Sequence, residues 1–134
     1  MSAYLNPGTE SFECSLRSKI YVDKTEMISY LNTLVNTSQR NLCVSRPRRF
    51  GKTVAIDMLC AYYGAGAGAE NRALFEPLKL SKKPNWDRYL GTFNVVRLTI
   101  SQFLKQGISL HDNMLRMQRL LTRDIVKQFP DVDF

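Results

Sequence analysis

Gly51-Lys52-Thr53 is the segment of this chain whose residue types and order could do chemistry. A glycine lets a backbone approach a phosphate with no Cβ in the way. A lysine directly after it can reach the β and γ phosphates of a nucleoside triphosphate, and a threonine next in line can ligate magnesium. This chemistry needs the three residues to open a helix, where unpaired N–H groups and the positive dipole end face the ligand. The flanking sequence supplies that arrangement. Leu42-Cys43-Val44, within Asn41 to Ser45, reads as a short buried strand, and Arg46 to Gly51 reads as a loop. Lys52 to Tyr63 follows as a helix with Val54, Met58, Ala61 and Tyr62 on its inner face. The pattern G-x-x-x-x-G-K-[ST] is incomplete, because Arg46 stands where its first glycine belongs. On pattern alone two readings stand: a phosphate site, or a helix start at which Gly51 only makes the turn.

Arg46, Arg48 and Arg49 precede the glycine. They can add charge against a triphosphate, one of them reaching the γ phosphate, or they can pair with acidic groups elsewhere. Pro47 stiffens the loop. Hydrolysis asks for more than a cradle. A strand ending in carboxylates should complete the magnesium shell and position the attacking water. Val95 to Ile100, rich in β-branched residues, reads as a second strand but carries no carboxylate, and Asp131 and Asp133 follow Phe129-Pro130 rather than an apolar strand. No catalytic residue is assigned. Asp57 reads as exposed or paired, His111 (the only histidine) as structural or exposed, and Trp86 as a loop anchor. The three cysteines sit among apolar residues and form no C-x-x-C pair, which argues against a zinc site or a disulfide frame.

The elements that must position this loop can be read along the chain. Residues 4–20 read as irregular, with a turn at Asn6-Pro7-Gly8, and Ile20-Tyr21-Val22 as a short extended piece. Asp23 suits a helix N-cap with Glu26 as its capping-box partner. The helix after it places Met27, Ile28, Leu31, Leu34 and Val35 on one face. Gly64 to Ala69 reads as a flexible connector and Asn71–Phe75 as a short helix. Leu110 to Phe129 is the longest helix. Its apolar stripe, Leu110, Met114, Met117, Leu121 and Ile125, reads as core, and Arg116, Arg119, Arg123 and Lys127 form a basic stripe.

Two separated segments carry a resemblance to a known family. Ser45-Arg46-Pro47-Arg48-Arg49-Phe50-Gly51-Lys52-Thr53 resembles the phosphate loop of the predicted AAA-ATPase-like family of bacterial proteins, in which the first glycine is commonly replaced. Ile20-Tyr21-Val22-Asp23-Lys24-Thr25 resembles that family's N-terminal Tyr-Val-Asp-Lys-Thr signature. Met58 to Tyr63 and Phe75-Glu76-Pro77-Leu78 also fit, and the similarity runs from about Tyr4 to the last helix. The resemblance implies ATP and Mg2+ as ligands, with Arg48, Arg49, Phe50, Gly51, Lys52, Thr53 and Val54 around the nucleotide and Thr53 on the metal. It also implies an α/β fold of the P-loop nucleoside triphosphatase type, three-layer α/β/α with a mainly parallel sheet. The family's acidic motif of the form Asp-Glu-Tyr-Asp and its frequent PD-(D/E)XK nuclease domain have no counterpart here. The chain is therefore expected to be a truncated, N-terminal portion of such a domain over 1–134, with a lead-in and helix over 1–40 and the phosphate-loop core and last helix over 41–134.

Composition bounds the alternatives. With 134 residues, 44% hydrophobic and 23% charged, the chain can bury a core in the ordinary globular way. No apolar run is long enough to span a bilayer and no signal pattern opens the chain, so the expected setting is cytoplasmic, without membrane partners. A net charge of +7 suits polyanions. The leading expectation is an ATP/Mg-binding, ATPase-like module that hydrolyses nucleotide only if completed by a downstream segment. The alternative is a non-catalytic interaction or nucleic-acid-binding module that keeps the loop for structure. A truncated sheet would also favour a homo-oligomer.

Overall fold

A twelve-residue helix follows the glycine, as the sequence requires: Lys52–Tyr63, here α3. In the computed structural model of the chain, residues 4–45, 47, 51–66 and 69–133 are described. Before α3 come α1 (Glu10–Leu16) and α2 (Glu26–Leu34); after it come α4 (Ala69–Phe75), a 3-10 turn (Lys79–Lys82), α5 (Ile100–Phe103) and α6 (Leu110–Gln128). No helix among the described residues is long and apolar enough to cross a membrane.

The expected three-layer α/β/α architecture with a parallel sheet is overturned. Among the described residues strand pairing is limited to two isolated bridges, Leu5 with Val96 (antiparallel) and Gly64 with Phe93 (parallel). A strand is held by neighbours that pair its N–H and C=O groups. Leu42–Val44 has no ladder partner among the described residues, and its side chains are out in solvent, Leu42 at 47% and Val44 at 62% exposure. Val96 makes its single bridge, and by Ile100 the chain has turned into α5. Helices packing on helices bury the core instead.

The chain forms two compact units. The larger, Gly8–Phe93, contains α1 to α4 and the 3-10 turn. Its core is Phe12, Ile28, Met58, Ala61, Tyr62, Phe75 and Leu80, each at most 1% exposed. Phe12 stacks on Phe75 at 5.2 Å between ring centroids, and Tyr62 meets Phe75 edge-on at 5.5 Å. Such pairs add about 0.5–1.5 kcal/mol beyond the area they bury. Here α1 corrects the irregular reading of 4–20: a seven-residue helix is too short to form on its own, but Phe12 and Leu16, one turn apart, dock it into this core.

Buried polar groups fix α3 within that core. Tyr62 Oη donates to the Trp86 carbonyl at 2.5 Å and accepts from Asn32 Nδ2 at 3.1 Å, while Tyr63 Oη donates to Asn32 Oδ1 at 2.6 Å. Trp86 thus anchors the 83–92 loop to the helix. Asn71, 1% exposed, donates from Nδ2 to the carbonyls of Ala61 (2.6 Å) and Gly64 (3.1 Å). These carbonyls lie where a helix end leaves acceptors unpaired.

The second unit is formed by the described part of residues 1–7 and 94–134. In it Asp124 Oδ2 accepts from the N–H groups of Tyr4 and Leu5, both at 2.9 Å, and Gln128 Nε2 donates to the Leu5 carbonyl at 2.9 Å. These bonds lay the extended 4–6 segment along α6. Ser109 caps α6 by accepting from the Asp112 N–H at 3.1 Å. The expected apolar stripe is only half covered: Met117, Leu121 and Ile125 are half-buried, but Leu110 (66%) and Met114 (48%) are exposed. In the basic stripe Arg119, Arg123 and Lys127 are exposed, while Arg116 is half-buried.

Candidate phosphate-binding site

The site begins with the backbone of Gly51. Its φ is +77°, in the left-handed region that a residue with Cβ enters only with strain. Its carbonyl accepts from the Ala55 N–H at 2.9 Å, so the helix proper starts at Lys52. Gly51 brings no capping side chain to this end of α3, and the first turn holds no acidic residue. Lys52, Thr53 and Val54 are exposed, which corrects the inward placement of Val54. A helix end in this state presents the positive end of the dipole together with a lysine and a hydroxyl.

Two cavities meet at this helix end. One, of about 400 Å³, is bounded by Ser15, Ser18, Tyr21, Val22 and Met58; the other, of about 650 Å³ and mostly apolar, by Met27, Val44, Lys52, Ile56 and Leu59. Both are also lined by Gly51, Ala55 and Lys24. Lys24 comes from the other conspicuous segment of the sequence. Its Nζ lies 3.3 Å from the point that a Cβ on Gly51 would occupy.

The residues on either side of Lys24 explain its position. Asp23 does not cap α2. Its Oδ1 accepts from the Thr25 N–H (2.9 Å) and the Thr25 hydroxyl (2.6 Å), and its Oδ2 accepts from the Lys79 N–H (2.8 Å). Thr25, fully buried, accepts in turn from the Leu80 N–H at 3.1 Å and occupies the N-cap position itself. Burial alone would raise the Asp23 carboxyl. The hydrogen bonds from Thr25 and Lys79, with the Lys79 charge, outweigh it and hold the group below the usual carboxylate range.

The residues expected at the site are thus distributed plainly. Gly51, Lys52, Thr53 and Val54 stand together at the start of α3. Arg46, Arg48, Arg49 and Phe50 lie outside the described residues. Asp57, read as exposed or paired, is 8% exposed on the buried side of α3. His111 is exposed, as are Cys14 and Cys43; Cys60 is buried. Lys24 was not singled out by residue reasoning. The signal available was a second lysine inside a signature shared by the same family as the phosphate loop.

Comparison with protein families decides the class. The family described as Predicted AAA-ATPase matches residues 7–130. The chain belongs to the predicted AAA-ATPase-like family. No curated protein and no solved structure matches it. The matched span of this AAA-ATPase-like chain holds both Asp23-Lys24-Thr25 and Gly51-Lys52-Thr53, and membership of a predicted ATPase family supports nucleotide use in general.

Proposed function

We propose that this AAA-ATPase-like chain binds ATP with Mg2+ at the N-terminus of α3. The observation that carries the reading is the conformation of Gly51. A glycine at φ +77°, with no capping side chain of its own, opens the helix and is followed at once by Lys52 and Thr53. The residues fit a phosphate group: the backbone can be approached, a lysine stands at the helix end, and no carboxylate in the first turn repels an anion. In this reading the α3 N–H groups and Lys52 hold the β and γ phosphates, and the Thr53 hydroxyl takes a place on the magnesium. Bound magnesium would neutralise phosphate charge. The setting proposed is cytoplasmic, where ATP–Mg is abundant.

Binding is proposed without turnover by this chain alone. The carboxylate in α3, Asp57, is buried in the helix packing. Lys52→Ala should weaken ATP–Mg binding at least about tenfold, about 1.4 kcal/mol. Calorimetry on both folded proteins tests this, and equal affinities would remove the proposal.

A further inference from the structure

We infer that Lys24 is a second phosphate-binding lysine, reaching the triphosphate across Gly51 from the start of α2. The inference rests on the nucleotide reading of the α3 N-terminus and adds a residue to it. Three observations carry it. The Lys24 ammonium stands 3.3 Å from the Cβ point of Gly51, so it shares the space that a phosphate cradled by this glycine borders. Lys24 also lines both cavities that meet at Gly51, so a ligand entering either one passes its side chain.

The third observation is how its backbone is held. Asp23 and Thr25 are hooked to the Lys79 and Leu80 N–H groups, and the Met27 N–H bonds the Lys24 carbonyl at 3.0 Å. Neighbours on both sides are tied to the scaffold while the Lys24 side chain extends to the exposed helix end. A lysine held at its base in this way forfeits less freedom on binding than one on a loose loop. Lys24 and Lys52 both line the larger cavity at Gly51, and the attraction between a lysine and a phosphate ligand grows with the ligand's negative charge. The contribution of Lys24 should therefore grow from AMP to ADP to ATP.

The experiment is calorimetric titration of the full chain with ATP–Mg, ADP and AMP, for wild type, Lys24→Gln, Lys24→Arg and Lys52→Ala. Circular dichroism confirms that each variant is folded, and the apolar Lys24→Met replaces Lys24→Gln if the latter does not fold. The result expected is at least about a fivefold loss of ATP affinity in Lys24→Gln, a smaller loss for ADP, almost none for AMP, and recovery in Lys24→Arg. A Lys24→Gln protein that binds ATP as wild type does, while Lys52→Ala does not, overturns the role of Lys24 and leaves the nucleotide site standing. Equal losses for ATP, ADP and AMP overturn it too, because they mark a change of structure rather than a lost phosphate contact. Wild type that binds none of the three removes both readings.

Discussion

Lys24 Nζ and Gly51 are in near contact, 3.3 Å from the ammonium to the point where a Cβ would stand, although 23–25 and the start of α3 belong to separate segments. A methyl group at position 51 would have to be built at φ +77° and would press on that ammonium. The lysine end can move aside, so the backbone strain dominates. Gly51→Ala should lower stability by about 1–2 kcal/mol, measured by urea unfolding. An alanine variant as stable as wild type would mean that the turn relaxes to a negative φ.

Asn71 offers a test of how the C-terminal end of α3 is held. Its Nδ2 serves two carbonyls at 1% exposure, and Oδ1 has no hydrogen-bond partner among the described residues. Asn71→Ala should cost about 1–3 kcal/mol by leaving acceptors unpaired. Asn71→Asp should cost more, because a carboxylate would then face the Ala61 and Gly64 carbonyls with nothing to donate. Thermal unfolding of the two variants checks the order; an aspartate variant more stable than the alanine one would contradict it.

Alkaline pH should weaken the larger unit. Tyr21 is raised to about 12 by burial first and by the Asp23 charge second. Burial is also the main cause that raises Tyr62 and Tyr63. The folded state keeps these protons where the unfolded chain, titrating near pH 10, has lost them. Their stabilisation is fully present below about pH 10 and falls as pH rises towards 12. Urea midpoints at pH 8, 10 and 11, with tyrosinate absorbance followed in parallel, should show the decline. A midpoint constant across that range would place these hydroxyls in solvent.

What the sequence made legible was local. The α3 bounds follow from Gly51 before and Gly64 after an unbroken helical run, and the covered face of α2 from the spacing of Ile28 with its neighbours. That Leu42–Val44 forms no strand was not legible, because a three-residue apolar run is the same in sequence whether a neighbour covers it or solvent meets it. Val95 to Ile100 misled for the opposite reason: β-branched residues suit a strand, but ladder partners decide whether one forms. At the site, Gly51, Lys52 and Thr53 are adjacent in sequence and could be read as a unit. Lys24 could not, since its approach to Gly51 depends on Asp23 and Thr25 bonding to N–H groups 56 and 55 residues away.

Turnover is a separate matter from binding. This chain should release no phosphate from ATP above the level of a Lys52→Ala control, since a cradle supplies charge but no group to orient water. A phosphate-release assay reads this directly. Release that disappears with Lys52 would mean that a carboxylate of this chain positions the water, with Asp57, Asp131 and Asp133 the first to substitute.

Whether the opening of α3 holds a nucleoside triphosphate is read by titrating the wild-type chain with fluorescent ATP, with and without Mg2+. The expected result is saturable binding that magnesium strengthens and that unlabelled ATP competes away. A flat titration in both conditions, on protein shown to be folded, would contradict it.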